Sequence, residues 1–281
     1  MKRYVLIAGE TSGDQYGSQL MEALKAINPE SEFWGIGGED MMGSGLNQFE
    51  DIHNMSVVGF SEVLRKIPKM LSLANRLSQF INEVKPDRVI LIDFPGFNLS
   101  LAKKIKHLST ETKIDFFISP QIWAWNERRV KIIKKNINHM IVIFPFETSF
   151  YKKHGIKAHY VGHPYLDQWK PSTSKYLRKK LNLDSSKKIV GIFPGSRAQE
   201  LEVHLPIYLK VAESFSKQKN VQCVIGLAPG FDKLKIESQF NLGDVKIIDD
   251  EPLKLLECCD VALVTSGTIS LQATLMNTPC V

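Results

Sequence analysis

The sequence predicts an α/β protein of two doubly wound, Rossmann-like domains that face a cleft, with the second domain incomplete. Short apolar runs alternate with longer stretches of helical periodicity along the whole chain, as in proteins with a parallel sheet. A polar connection divides these runs into two series. Several runs end in turns rich in Gly, Ser or Asp, and open parallel sheets bind their ligands at such strand ends.

The composition is that of a globular protein with a sizeable core. The chain has 281 residues, of which 43% are hydrophobic and 23% charged, enough for one large or two ordinary domains. A formal net charge of +6 favours acidic partners: nucleic acid, an anionic lipid surface or phosphorylated substrates. The cysteines lack metal-ligand spacing, which indicates reduced, mostly buried thiols in a cytosolic protein. No apolar window predicts a signal peptide or a membrane span.

The first series of elements, residues 1–164, predicts the first domain. Gly9, Gly13 and Gly17 follow its first strand; they do not fit a dinucleotide fingerprint, but they allow close approach to a helix start. Residues 39–56 are predicted to be mostly loop. The predicted strands are 4–8, 32–36, 88–92, 113–118, 139–144 and 158–161.

Residues 57–84 alternate apolar side chains with Lys and Arg, and Pro68 is predicted to break the run into two helices. One interpretation is a pair of amphipathic helices packed on the sheet. The other is a basic, apolar surface that contacts a membrane or binds acyl chains.

Polar and aromatic residues at two strand ends are candidates for chemistry. Asp93 ends a buried strand and is a candidate general base, whereas an ordinary turn or N-cap aspartate is the alternative. Gln121, Trp123 and Trp125 follow the next strand, where they suit stacking and hydrogen bonding to a sugar or nucleotide, or else fill the core.

Residues 165–187 predict a polar linker, and residues 188–281 predict a second α/β domain with strands at 188–193, 221–226, 244–248 and 260–264. A doubly wound domain has about six strands, so four strands and a fragment at Pro279–Val281 indicate a domain that is cut short.

Two turns of the second domain join a strand to a helix: Pro194–Arg197 and Ser266–Thr268. Unpaired N–H groups at a helix start favour an anion, and Arg197 adds a guanidinium, so we expect a diphosphate site. For the first turn, the alternative is an ordinary βα turn with a surface arginine.

Motifs along the whole chain closely resemble, in the same order, those of the lipid-A-disaccharide synthase family. They are Gly9–Asp14, Asp93–Asn98, Pro120–Trp125, Val161–Pro164, Pro194–Arg197 and Ser266–Thr268. The resemblance implies a GT-B fold and an inverting glycosyltransferase that needs no metal or other cofactor. Its donor would be UDP-2,3-diacylglucosamine and its acceptor 2,3-diacylglucosamine 1-phosphate (lipid X). The products would be the β-1,6-linked tetraacyl lipid A disaccharide 1-phosphate and UDP.

The resemblance also implies a place in the cell and roles for single residues. Such an enzyme is cytoplasmic and peripheral on the inner face of the cytoplasmic membrane of Gram-negative bacteria, where it serves lipopolysaccharide synthesis for the outer membrane. It binds anionic lipid and not nucleic acid, and a homodimer is one expectation. Asp93 would be the base, with Glu10 and Asp14 as alternatives, and residues 57–81 would seat acyl chains. The residues expected to bind substrate or UDP are Gly13, Asn98, Gln121, Trp123, Gly195, Ser196, Arg197, Glu200, Ser266, Gly267, Thr268 and Gln272.

Two departures from the family pattern accompany the resemblance. Gln272 stands where the family commonly has the Glu expected to bind ribose hydroxyls. Family chains also continue for roughly another hundred residues, judged from the strands that a doubly wound domain needs, so we expect a truncated chain with an incomplete donor site. The alternatives are a UDP-sugar 2-epimerase of the same fold and an inactive, truncated lipid-binding fragment.

Overall fold

Two units, Met1–Asp167 and Gln168–Val281, make up the chain in the computed structural model. The structure describes residues 1–55, 60–216 and 218–281; for residues 60–66, Trp125, Gln168 and Ser216 it describes the backbone alone.

The first unit is built on a parallel sheet. Its strands are β1 (Arg3–Ile7), β2 (Glu32–Gly37), β3 (Leu46–Asp51), β4 (Arg88–Ile92), β5 (Ile114–Phe117), β6 (His139–Val142) and β7 (Ala158–Tyr160). Their order across the sheet is β3-β2-β1-β4-β5-β6-β7, so the order reverses between β1 and β4. This reversal is the topological switch point at which open α/β sheets bind ligands, outside the carboxyl ends of the strands.

The core of this unit follows from the apolar strands. Val5, Leu6 and Ile7 of β1 are fully buried, as is Leu91 of β4, because helices cover both faces of a parallel sheet. The helices are α1 (Thr11–Ile27), α2 (Glu39–Gly43), α3 (Phe60–Val84), α4 (Pro95–Leu108), α5 (Ile122–Trp125), α6 (Val130–Asn136), α7 (Pro145–Lys153) and α8 (Tyr165–Gln168).

Two local predictions for this unit are wrong. Residues 39–56 are not mostly loop, since they form α2 and β3. The sequence does not predict β3, because this strand lies at the sheet edge and only its Leu46 is buried. Pro68 does not divide the following segment, because α3 runs through it as one helix. A proline removes one helical hydrogen bond, and the buried face formed by Leu73, Leu77 and Ile81 supports the helix beyond it.

The second unit also has a parallel sheet. Its strands are β8 (Lys188–Phe193), β9 (Val221–Gly226), β10 (Lys246–Ile248) and β11 (Val261–Val264), in the order β10-β9-β8-β11. Cys280 forms a parallel bridge with Ala262, which places the predicted strand fragment beside β11. The helices are α9 (Ser174–Lys180), α10 (Ala198–Ser216), α11 (Lys233–Gln239), α12 (Pro252–Cys258) and α13 (Thr268–Leu275).

The polar segment 165–187 carries α8 and α9, and α9 packs against α12 of the second unit. The Arg178 guanidinium donates to the Cys258 carbonyl and forms an ion pair of 2.8 Å with Asp260. These bonds attach the segment to the second sheet, because the Asp260 carboxylate also accepts from the Ile189 N–H at the start of β8.

Candidate active site

The chain turns sharply where β4 ends. Asp93 and Phe94 both have left-handed backbone, with φ of 44° and 45°, which is uncommon for residues other than glycine. The fully buried Asn98 amide fixes this corner by donating to the carbonyls of Asp93 at 2.7 Å and Ile92 at 3.2 Å. The Phe94 ring lies so close to Gly9 that a Cβ there would meet it at 2.1 Å. The structure therefore holds Asp93 rigidly, with Asn98 as part of the support.

A cavity of about 250 Å³ lies beside this corner, at the carboxyl ends of β4, β5 and β6. Ile118 lines it with a φ of 62°, a strained value for a β-branched residue. Strained backbone at Asp93 and Ile118 thus lies around one cavity. The cavity is lined by Asp93, Pro95, Ile118, Ser119, Pro120, Gln121, Ile122, Arg129, Ile143 and Phe144.

The environment of Asp93 favours its protonated form. Burial, and then the negative charges of Glu10 and Glu147, raise the pKa of the Asp93 carboxyl from 3.8 to about 6. Burial, and then the charge of Asp93, also raise the pKa of the Tyr16 hydroxyl. A carboxyl with a pKa close to neutral can accept a proton and later release it, which is the requirement for a general base.

Glu147 lies in the first turn of α7 and is almost completely buried. Its Oε1 accepts hydrogen bonds from the Ser119 hydroxyl at 2.5 Å and the Trp123 indole N–H at 3.3 Å. Its Oε2 accepts from the Phe144 N–H at 3.0 Å. This carboxylate therefore connects the segment after β5 with the end of β6.

The residues predicted after β5 take different positions. Gln121 is exposed and lines the cavity, whereas the Trp123 indole binds Glu147 and packs edge-on against Phe146 at 4.9 Å between ring centres. The side chain of Trp125 lies outside the described part of the chain.

The predicted residues at the start of α1 differ in exposure. Glu10 is exposed and precedes the helix. The Asp14 carboxylate is buried and accepts from the N–H groups of Gly38 at 2.6 Å, Asp40 at 3.1 Å and Met41 at 3.2 Å. It thereby caps α2. Gly13 is also buried, and a Cβ there would only touch Ala8 and the Ile92 side chain, both in ordinary contact range.

The turn after β8 in the second unit has the predicted strand–turn–helix geometry. Gly195 has a φ of 118°, which glycine tolerates best. The Glu200 carboxylate accepts from the N–H groups of Ser196 at 3.0 Å and Arg197 at 3.3 Å, and from the Arg197 guanidinium at 2.6 Å. The donors predicted to bind phosphate therefore converge on one anionic group, and that group is Glu200.

The second predicted turn lies beside the first. The Thr265 N–H donates to the Phe193 carbonyl at the end of β8, and His204 Nδ1 lies 3.0 Å from the Thr265 hydroxyl and 3.3 Å from the Pro194 carbonyl. Ser266, Gly267 and Thr268 are exposed, and Gln272 is half-buried about one turn into α13. The structure thus brings together the two turns that the sequence paired.

A second cavity of about 380 Å³ in the first unit is lined by Glu50, His53, Asn54, Lys69, Met70, Ser72, Leu73 and Arg76. Ile67 and Leu71 of α3 are exposed near the basic side chain of Lys69 in sequence. The predicted acyl-binding segment 57–81 is described only in part, because residues 57–59 and the side chains of 60–66 lie outside the description. Among the described residues, no helix is long and apolar enough to cross a membrane, and no group of three or more His, Cys, Asp or Glu is arranged to hold a metal ion.

Three residues near these sites were not predicted: Glu147, Arg129 and His204. Glu147 had a detectable signal, because it lies in the first turn of the helix that follows β6 and so near the carboxyl end of a strand, although it does not follow that strand directly as Asp93 follows β4. His204 and Arg129 lie on helical segments, where the sequence gives no sign that they reach a turn or a cavity.

Comparison with solved structures identifies the fold. UDP-GlcNAc 2-epimerase from Neisseria meningitidis, solved with UDP-GlcNAc, matches with a TM-score of 0.66 at 14% identity, over 100% of this chain and 82% of that one. The S. aureus MnaA–UDP co-structure matches with a TM-score of 0.65 at 13% identity, over 100% of this chain and 78% of that one. At this identity the likeness shows the fold alone, and the GT-B-like α/β class predicted from the sequence is confirmed.

Comparison of sequences identifies the family. Residues 4–281 match the family model described as lipid-A-disaccharide synthetase. A lipid-A-disaccharide synthase from Myxococcus xanthus is 37% identical, over 99% of this chain and 73% of its own length. One from Coxiella burnetii is 36% identical, over 100% of this chain and 74% of its own length. The resemblance inferred from the motifs is confirmed: the chain belongs to the lipid-A-disaccharide synthase family of glycosyltransferases.

Proposed function

We propose that this chain transfers 2,3-diacylglucosamine from its UDP derivative to the 6-hydroxyl of 2,3-diacylglucosamine 1-phosphate. The products are the β-1,6-linked disaccharide 1-phosphate and UDP. The observation that carries the proposal is the Asp93 carboxyl, held on a strained corner after β4, where it lines a cavity at the carboxyl ends of β4, β5 and β6, in a chain that belongs to this family.

Asp93 is the general base of the proposed reaction. Its carboxylate takes the proton of the acceptor hydroxyl as the oxygen attacks the anomeric carbon of the donor. The bond from that carbon to the UDP oxygen breaks on the opposite side, and the configuration inverts. A pKa of about 6 leaves most of the base ionised at neutral pH while keeping it basic enough to hold a proton.

The leaving UDP is held by the two turns of the second unit. The N–H groups of Ser196 and Arg197, which donate to Glu200 in the structure, turn to the diphosphate when UDP displaces that carboxylate. The start of α13 at Thr268 adds further donors, and the Arg197 guanidinium, which also pairs with Glu200, adds positive charge. Such groups stabilise the charge that develops on a departing phosphate. Gly195 allows the tight turn, Ser266 and Gly267 complete the second turn, and Gln272 contacts the ribose.

Three predicted residues support the base in different ways. The Asp14 carboxylate already caps α2, so we assign it to positioning rather than proton transfer. Asn98 holds the backbone on which Asp93 sits. Glu10 raises the pKa of Asp93 by its charge, and it is the alternative base. Gln121 forms a cavity wall that contacts the acceptor.

The chain is further proposed to act as a cytoplasmic, peripheral protein on an anionic membrane surface. The support is the exposed Ile67 and Leu71 of α3 together with the basic Lys69, a pairing typical of interfacial helices. Sedimentation with anionic vesicles at low salt tests this, and an Ile67→Ser/Leu71→Ser variant is expected to stay in the supernatant. The predicted homodimer stays a prediction, to be measured by light scattering.

The transfer itself is tested with purified protein, both substrates and mass spectrometry of the products. We expect equal amounts of disaccharide 1-phosphate and UDP, and a loss of turnover of roughly 10²- to 10⁴-fold in Asp93→Asn. If Glu10→Gln abolishes turnover and Asp93→Asn does not, Glu10 is the base. Epimerised UDP-sugar formed without acceptor would identify an epimerase instead, and the absence of any product would refute the proposal.

A further inference from the structure

Glu147 is a buried carboxylate for which the proposed reaction has no assigned task. About 1% of the residue is exposed, and removing an ionised carboxylate from water costs several kcal/mol unless hydrogen bonds compensate it. Three donors surround it: a hydroxyl, an indole N–H and a backbone N–H. This set satisfies an ionised carboxylate, because each of the three groups can donate and both oxygens accept.

The donors come from separate stretches of the chain. Ser119 lies directly after β5, Trp123 lies in α5, and Phe144 precedes α7. A helix cap needs only the last of these bonds. The two side-chain bonds across to the β5 side therefore serve something other than the end of α7.

The groups that Glu147 binds belong to the wall of the Asp93 cavity. Ser119 and Phe144 line that cavity directly, and Trp123 follows Gln121 and Ile122, which also line it. Ile118, next to Ser119, has strained backbone, which persists only where its surroundings hold it in place.

We propose that Glu147 is a positioning residue for the glycosyl transfer, whose buried carboxylate holds the Ser119 hydroxyl and the Trp123 indole so that the wall beside Asp93 keeps its shape for the acceptor. The inference rests on the proposed function of the Asp93 cavity. Glu147 itself moves no proton in the reaction.

The same carboxylate acts on Asp93 through its charge. Among the described residues, the charged or titratable groups around Asp93 include Glu10 before α1, Tyr16 in α1, Arg129 in the cavity wall and Glu147 in α7. The His163 ring contacts Tyr16 and Phe144. The negative charge of Glu147 contributes to the raised pKa of Asp93. Removing that charge therefore moves the acid limb of the pH–rate profile to lower pH, an effect that a purely structural residue does not have.

The test compares Glu147→Gln with wild type in the disaccharide-forming assay. A glutamine keeps the shape, but its amide nitrogen cannot accept, so at least one of the three donors loses its partner. We expect kcat/KM for the acceptor to fall roughly ten- to hundredfold and the acid limb to move to lower pH. The matched control is Glu30→Gln, an exposed residue before the amino end of β2, whereas the cavity lies at the carboxyl ends of other strands; this variant should match wild type.

Two further variants, Ser119→Ala and Trp123→Phe, each remove one donor and keep the Glu147 carboxylate. They therefore test whether these hydrogen bonds position the cavity wall even if Glu147→Gln does not fold. Both should raise KM for the acceptor, and Ser119→Ala should cost less in the Glu147→Gln background than in wild type. The inference would be overturned if Glu147→Gln folds and keeps both the wild-type kcat/KM and the wild-type acid limb of the pH–rate profile. It would also be overturned if Ser119→Ala and Trp123→Phe both keep the wild-type KM for the acceptor. Wild-type protein that forms no disaccharide would refute the proposed function instead.

Discussion

Replacing Asp93 by asparagine should stabilise the protein while it removes the proposed base. Asparagine keeps the size of the side chain and tolerates left-handed backbone as aspartate does, but it carries no charge to bury. The ionised Asp93 is costly because burial and the charges of Glu10 and Glu147 oppose it. The structure therefore predicts a conflict between stability and activity at this position.

The size of the effect follows from the pKa. In the folded protein the pKa of Asp93 is about 6, against an ordinary value of 3.8, a difference equivalent to at most ~3 kcal/mol. Because the pKa of Asp93 is higher in the folded protein, ionising this residue costs wild type no free energy of unfolding below about pH 4. As the pH rises from there through about 6, wild type loses up to that ~3 kcal/mol. Asp93→Asn should thus match wild type at pH 4 and exceed it by up to ~3 kcal/mol at pH 8.

Urea denaturation at pH 4, 6 and 8, followed by circular dichroism, measures this difference. Asp87→Asn is a control whose stability should change in the opposite direction. The pKa of Asp87 is lowered in the folded protein, first by the hydrogen bond from Lys2, so folding favours its ionised form. That variant should be less stable than wild type at neutral pH, and the difference should vanish as the pH falls. If Asp93→Asn is no more stable than wild type at pH 8, the surroundings of the Asp93 carboxylate do not destabilise it, which would refute the prediction.

Three further predictions concern Asp14, Arg197 and Glu200. Asp14→Ala should lower the free energy of unfolding by about 1–3 kcal/mol, because three N–H groups lose their acceptor. Asparagine is a good cap, so Asp14→Asn should keep most of the stability and turnover. A folded Asp14→Asn without activity would restore Asp14 as a candidate base. Arg197→Ala should weaken UDP binding roughly ten- to hundredfold in calorimetry, and unchanged affinity would remove Arg197 from the donor site. Glu200→Gln should tighten UDP binding, because its carboxylate now occupies the N–H groups of Ser196 and Arg197; weaker binding in a folded variant would mean that Glu200 shapes the turn instead of competing with phosphate.

The fold was predictable where burial decides the sequence. Strands such as β1 and β8 are continuous apolar runs because helices cover both faces of a parallel sheet, and their positions agree with the predicted ones to within a residue or two. The prediction failed at β3, whose edge position leaves most of its side chains partly or fully exposed. It also failed at Pro68, where tertiary packing outweighs the preference of proline to end a helix.

The candidate site was predictable only as far as strand ends are visible in the sequence. Asp93, Gln121 and the turn at Arg197 follow buried strands, and the structure places each of them at a strand end. The tasks of Asp14 and Glu200 depend on which N–H groups their carboxylates reach, and that is fixed by folding rather than by residue type. Glu147 shows the same limit, because two of its three donors come from residues 24 and 28 positions away.

We propose above all that Asp93 acts as the base of a glycosyl transfer. The pH dependence of kcat/KM for disaccharide formation tests it most directly, since this quantity reports the essential groups of the free enzyme. We expect kcat/KM to rise with pH through an inflection near pH 6, and the residual activity of Asp93→Asn to lack this inflection. A wild-type profile without an inflection near pH 6, or the same inflection in Asp93→Asn, would contradict it.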